Sequence, residues 1–303
     1  MAISIYNIKK WYNMMCGKSI LHVNQDIGKC FSKTELLGYY NNLTEKVTKQ
    51  SNLVDTQELP SILQEDGVII VFPVAVFQYA LGCYDLYLLK RDDRYLNKFL
   101  QLAVWTFQNQ DPKGRWDNFS HTYPQHPYGA MAQGEAVSVL LRAYKKTNDE
   151  KFLEASHKAI NYMLQPIEKN GTTLYDGQDV LLKEFQHLPL VMNGWIFAWW
   201  GLYDYVLVTH DSGEYLSILE KSCSSLIKFL PKFDSYIWSK YDAEKKLASP
   251  FYHHLHIAQM QAMYILTGNE VFKRYADKWK EKEKNVFCKT TAFLLKAVQK
   301  IME

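Results

Sequence analysis

The chain has 303 residues, 48% of them hydrophobic and 15% aromatic, and its 35 basic and 32 acidic side chains leave a net charge of +3. That is enough apolar matter for one large or two ordinary domains. The near balance of charge, with lysines scattered along helical stretches, argues against a nucleic-acid partner, while a polyanionic ligand needs only a few well-placed cations in a cleft.

The N-terminus, MAISIYNIKKWYNMMCGKS, has no continuous apolar run and no small-residue cleavage pattern, so it does not read as a secretory signal. CGKS at Cys16 imitates the end of a phosphate loop, but Tyr12 stands where a glycine is required, and neither GxGxxG nor GxSxG occurs. No cofactor is expected. The five cysteines (Cys16, Cys30, Cys83, Cys223, Cys288) are odd in number and form no CxxC, which fits a reducing, cytoplasmic setting. Three sequons, at Asn42, Asn118 and Asn170, would matter only in a secreted chain. The stretch from Lys33 to Gln50 is expected to be helical.

Two apolar runs follow, VIIVFPVAVFQYALGCYDLYLL from Val68 and LVMNGWIFAWWGLYDYVLV from Leu190. Each carries an acid and an amide (Asp85 with Gln78, Asp204 with Asn193), which are expensive in a bilayer core. Both runs are the first half of a repeated unit: a long apolar helix, a polar turn and an amphipathic helix. The turns read KRDDRYLNKFL, KTNDEKFLEAS, THDSGEYLSIL and LTGNEVFKRYA, with Tyr95, Phe152, Tyr215 and Phe272 in register at spacings of 57, 63 and 57 residues. Such a period signals a repeat architecture. The first helices are too apolar to face water and the second ones alternate charge with grease, so stacking places the former inside and the latter outside. An all-α (α/α) toroid over residues 36–303 is expected, behind an N-terminal extension of residues 1–35. The links NQDPKGRWDNF, EKNGTTLYDGQ and FDSYIWSKYDAE have the composition of hairpins or extended turns, gathered on one rim, where ligands usually bind.

The last inner helix opens with SPFYHHLHIAQMQAMYILTG. Helical spacing groups Tyr252, His256 and Gln259 on one face, with His253 on the neighbouring stripe. HHLH is not HExxH, and no carboxylate or cysteine follows at ligand spacing, so no metal site is expected. The other inner helices also open with amides, Gln78, Gln133 and Asn193, and a ring of polar groups at their ends suits a hydroxyl-rich ligand. Arg115 and Arg142 are candidates for holding an acid, although Arg142 reads equally well as a helix-surface charge. Trp116 and Tyr128 either stack on a ligand or fill the core.

FPVAVFQYALGCYDLYL, YGAMAQGEAVSVLLRAYKKTNDEKFLEAS, VMNGWIFAWWGLYDYV and ASPFYHHLHIAQMQAMYILTG together resemble the C-terminal catalytic domain of the D-glucuronyl C5-epimerases, over roughly residues 37–282. The resemblance implies an α/α toroid that inverts C5 of glucuronic acid residues within a polysaccharide without a cofactor, and thus a partner that is an acidic polysaccharide or oligosaccharide. It also implies catalytic roles for Tyr252, Tyr241 and Glu184, with Asp242, His253 and His256 beside them. Two positions depart from the family pattern: Phe185 stands where a tyrosine is usual, and Glu244 where an arginine is. Alternatives are a hydrolase or lyase on an acidic glycan, using Glu184 with Asp242 or Glu135 as a carboxylate pair, and a glycan-binding relative without activity. A homodimer stays open.

Overall fold

The computed structural model describes residues 18–20, 22–64 and 66–302, together with Lys9, Tyr12 and Asn13. Cys16 and much of the first 21 residues of the N-terminal extension lie outside the described residues. Among the described residues four helix pairs follow one another: α2 (Pro73–Lys90) with α3 (Asp93–Gln108), α4 (Ala130–Thr147) with α5 (Glu150–Met163), α6 (Met192–Thr209) with α7 (Glu214–Phe229), and α8 (Pro250–Thr267) with α9 (Glu270–Lys284). A short α1 (Thr44–Thr48) precedes them and α10 (Val286–Met302) follows.

Each pair begins as its sequence dictates. The apolar helices are buried nearly all round: residues 73–86 of α2 and 130–143 of α4 are buried without a break. The outer helices bury a single stripe, as Phe272, Ala276 and Trp279 do in α9. The turn between the two is the same device four times. The inner helix ends on a left-handed residue (Arg91, Asn148, His210 or Gly268), and an Asp or Asn oxygen then accepts backbone N–H groups at the start of the outer helix. This satisfies helix-end groups that burial would otherwise orphan.

The inner helices pack in sequence, α2 on α4, α4 on α6 and α6 on α8, with the outer helices behind them, which is the α/α toroid that the repeat implies. The closest crossing is α4 on α6. A side chain at Gly134 or Gly201 would run into the backbone of the facing helix, so the glycines of AMAQG and AWWG let two main chains touch.

The segment before α2 differs from its expected form. Between Lys33 and Gln50 only Thr44–Thr48 is α-helical, and the rest runs as loop. Backbone groups of this segment find partners outside it: the Tyr39 N–H donates to Asp85 of α2, and Arg142 of α4 donates to the carbonyls of Leu37 and Gly38. With backbone partners available on the ring, a helix has no advantage here. The segment acts as a strap that touches both open sides of the array. Leu43 seats its carbonyl where a side chain at Gly82 of α2 would otherwise lie. At the α8 side, Asp26 pairs with His254 at 2.6 Å, and His22 packs edge-on against Phe251 at 5.0 Å.

Two antiparallel hairpins are present, β1 (Ile62–Leu63) with β2 (Ile69–Ile70) and β3 (Thr173–Asp176) with β4 (Asp179–Leu182). The link after α7 is tied by the bridges Asp234↔Ser239 and Lys240↔Leu247, whereas NQDPKGRWDNF forms turns without a strand. Among the described residues no helix is long and apolar enough to cross a membrane.

Candidate functional site

A cavity of about 360 Å³ opens at one end of the ring, between the N-termini of α2, α4, α6 and α8, the strap and the β1–β2 hairpin. That volume falls at the low end of ligand pockets, ~300–1,000 Å³. Glu184, Tyr241 and Tyr252, which arrive from three separate parts of the chain, all line it, as do Gln78 and Asn193.

Glu184 is placed by the hairpin β3–β4. Its neighbour Lys183 bonds back to Thr172 and accepts the N–H of Ala130, the first residue of α4. Two glycines make room for it: a side chain at Gly129 would strike the Glu184 carbonyl, and one at Gly194 would strike its carboxyl group. The glycines of YGAMA and NGW therefore hold this carboxyl between two helix starts. Burial pushes its pKa up to about 8, and its Oε2 has no hydrogen-bond partner among the described residues.

Tyr241 sits on the loop before α8. This loop is sewn to the start of α6 by the bridge Val191↔Asp242 and by the Ala243 N–H to Leu190. Tyr252 is in the first turn of α8, behind Pro250 and the Ser249 cap, whose hydroxyl accepts the Tyr252 N–H. The two rings meet edge to face with centroids 4.8 Å apart, and the two phenols act on each other's acidity. Burial raises both phenol pKa values, and the nearby Glu184 raises them further. At neutral pH the site therefore holds two phenols that keep their protons and one carboxyl that titrates in the working range of a general base.

The histidines occupy a different place from the cavity lining. His253 stacks flat on Trp238 at 3.6 Å, accepts the Ser239 N–H on Nδ1 and donates from Nε2 to the Trp279 carbonyl. Burial pulls its pKa down to about 4, which keeps it neutral. His256 meets the same Ser239 hydroxyl at 2.9 Å and is likewise held neutral by burial. Together they pin the Tyr241 loop to α8. His254 instead lies between Glu283 and Asp26, and its hydrogen bonds to Glu283 and then Asp26 raise its pKa to about 9 against the opposing effect of burial.

Gln259 donates to the Asn193 carbonyl and Gln133 to the Gly129 carbonyl; both are fully buried behind the cavity wall. Asp242 spends one oxygen on the N–H groups of residues 244, 245 and 246 and so shapes the Tyr241 loop. Arg115 pairs with Asp111 at 2.7 Å and lies over the Tyr128 ring at 4.1 Å, away from the cavity lining. Trp116 fills the core and donates to the Thr106 carbonyl. Arg142 is neither a surface charge nor in the cavity: it is 1% exposed and pairs with Asp204 at 2.7 Å.

Phe185 lines the cavity, packed on Phe119 at 4.6 Å and edge-on to Tyr123. Glu244 is exposed on the rim, so an acid there leaves no gap in the wall. Sequence reasoning missed His22, Gln25 and Lys46 of the strap, and the lining residues Asn118, His121 and Tyr123. Asn118, noted only as a sequon, is buried and accepts the Val74 N–H at the start of α2. The polar and aromatic run SHTYPQHPY ahead of an inner helix was the available signal for His121 and Tyr123.

The fold and this cavity define a protein of the α/α toroid class with its polar pocket at one end of the ring. The chain belongs to the family described as the D-glucuronyl C5-epimerase C-terminus, whose pattern it matches over residues 110–281, more than half of its length. An uncharacterized protein of Methanocaldococcus jannaschii is 27% identical over 283 residues, covering 89% of this chain and 81% of that one. The D-glucuronyl C5-epimerase of Caenorhabditis elegans is 26% identical over 218 residues, which is 63% of this chain and 35% of that protein. In fold alone, the chain is similar to the cellobiose 2-epimerase of Spirochaeta thermophila, with a TM-score of 0.52 at 9% identity over 90% of this chain and 80% of that one.

Proposed function

We propose that this protein is a C5-epimerase of glucuronic acid residues in a polysaccharide or oligosaccharide. The observation that carries the reading is the convergence of Glu184, Tyr241 and Tyr252 on one cavity, with the two phenol rings edge to face at 4.8 Å.

Inversion at C5 requires removal of a proton beside a carboxylate and its return from the opposite face of the ring. The C–H electron pair moves into the carboxyl group to give an enediolate, so the site has to stabilise that extra charge. Glu184 is the base in this scheme, because its pKa of about 8 is high enough to take a proton and low enough to release it. Tyr252 supplies the returning proton and draws on Tyr241 behind it. Both phenols are raised, which suits them as donors rather than as bases. In the reverse direction the roles exchange.

A two-carboxylate hydrolase is less well supported. Glu184 is the sole carboxylate among the described lining residues, Asp242 is engaged with its own loop, and Glu135 sits behind Gln78, which donates to it at 2.8 Å. A glycan-binding relative without chemistry would bind tightly and exchange nothing. Incubation with an unsulfated glucuronate polymer in heavy water tests the proposal: deuterium enters C5 and iduronate appears. Absence of label on every glucuronate-containing polymer tried would remove it.

A further inference from the structure

The cavity wall carries few charges. Among its described lining residues Lys46 is the lysine or arginine present and Glu184 the carboxylate, with His22 and His121 beside them; the remaining lining side chains are uncharged types. A uronate carboxylate cannot enter such a pocket without a counter-charge, because an unpaired ion taken out of water loses its hydration with nothing to replace it.

Lys46 is placed to supply that charge. It is 4% exposed and lies on α1, which is held on both sides: Gln50 donates to the Lys46 carbonyl, Tyr79 of α2 donates to the Gln50 carbonyl, and Leu43 packs into the space left by Gly82. Burial lowers its pKa to about 8, and Glu135 partly restores it. A second anion in the cavity stabilises the charged form further.

The neutral polar groups point to the rest of the ligand. Gln25 and Asn193 line the cavity, each is 3% exposed, and the side-chain carbonyl oxygens of both have no hydrogen-bond partner among the described residues. These orphans are acceptors, and a buried acceptor left unpaired is destabilising. A sugar hydroxyl donates to them. A sulfate has only acceptor oxygens and brings a charge that no second lysine or arginine among the described lining residues answers.

We propose that Lys46 receives the uronate carboxylate, and that Gln25 and Asn193 select hydroxyl-bearing, unsulfated sugar around it. This deepens the epimerase reading and rests on it for the identity of the acid as a uronate. Calorimetric titration tests it with three probes of equal length: an unsulfated glucuronate oligosaccharide, its carboxyl-reduced counterpart and a sulfated version. The wild type is expected to bind the first at least tenfold more tightly than either of the others. Lys46→Gln loses the preference for the acid over the reduced sugar while still binding the reduced sugar, and Lys46→Arg keeps it, which separates charge from folding. Gln25→Leu and Asn193→Leu weaken all the unsulfated probes. A preference that survives in Lys46→Gln, a wild type that favours the sulfated probe, or one that binds none of the three overturns the proposal. Deuterium exchange is scored separately: tight, Lys46-dependent binding with no label at C5 counts against the epimerase reading and leaves the assignment of Lys46 standing.

Discussion

Tyr241 and Tyr252 meet edge to face on the cavity wall with ring centroids 4.8 Å apart, and each shifts the other's acidity. In the proposed reaction the two residues act in series, Tyr252 as the donor and Tyr241 behind it. Tyr252→Phe is expected to lower the rate of deuterium entry at C5 by about 10²–10⁴-fold, the usual worth of a positioned proton donor. Tyr241→Phe retains the donor and loses its support, so its effect is smaller, about tenfold. Exchange rates of both variants on one polymer decide this: equal losses would mean a single shared proton, and no loss would take the phenols out of the chemistry.

Glu184 makes a prediction on two axes. As the base it has to be ionised, so the rate should rise with pH toward a midpoint near 8, and Glu184→Gln should abolish exchange without weakening binding. For stability the sign is the reverse. The folded pKa lies above the ordinary 4.5, so the native state holds a proton that the unfolded chain has lost. That contribution is complete below about pH 4.5 and disappears as the pH climbs through 8, each tenfold difference in acidity between the two states being worth about 1.4 kcal/mol. Glu184→Gln has no proton to lose there, so its melting temperature should gain on the wild type between pH 5 and 9. A constant difference across that range would show that Glu184 is not buried as an acid.

The fold was legible because its signal is repeated. Four turns, each with a residue in the left-handed conformation followed by an Asp or Asn oxygen on nearby backbone N–H groups, each between an apolar and an amphipathic helix, reinforce one reading. Tyr252, Tyr241 and Glu184 were legible through family resemblance, and helical spacing correctly put Tyr252 at the mouth of α8. Spacing could not tell a lining histidine from a supporting one, since His253 and His256 take their roles from Ser239, Trp238 and Trp279, which lie elsewhere in the chain. Lys46 was invisible for a related reason. On a five-residue helix a lysine reads as a solvated charge, and only its seating against α2 buries it.

The crossing of α4 and α6 leads to a third expectation. A methyl group at Gly201 would overlap the backbone of Gly134, and one at Gly134 the backbone of Ala198. Helix propensity alone would favour alanine over glycine by about 1 kcal/mol, but overpacking backbone against backbone costs about 1–3 kcal/mol and wins. Gly201→Ala should therefore lower the chemical denaturation midpoint, with little change in the slope. Since Asn193 and Glu184 sit at the same end of α6, C5 exchange should fall with it. A stabilised Gly201→Ala would mean that the helices can separate at no cost.

The strongest test of the strap lies at Asp204. Its two oxygens accept from Arg142 at 2.7 Å, Ser138 at 2.6 Å and Tyr40 at 2.6 Å, while Arg142 also donates to the Leu37 and Gly38 carbonyls. One buried carboxylate thus joins α4, α6 and the segment that carries Lys46. Nearby anions keep Arg142 protonated despite its burial, so removing Asp204 strands a cation in the core. Asp204→Asn should cost about 3–5 kcal/mol, the penalty for breaking a buried pair. Arg142→Met alone leaves the Leu37 and Gly38 carbonyls without their donor, and the double variant should cost less than the sum of the two single ones, because the charges leave together. Denaturant titrations of the three variants measure that coupling, and strict additivity would show that the pair is not coupled. Where Arg142→Met still folds, the affinity for the glucuronate oligosaccharide should drop further than that for its carboxyl-reduced counterpart, since the loosened strap is the one that presents Lys46.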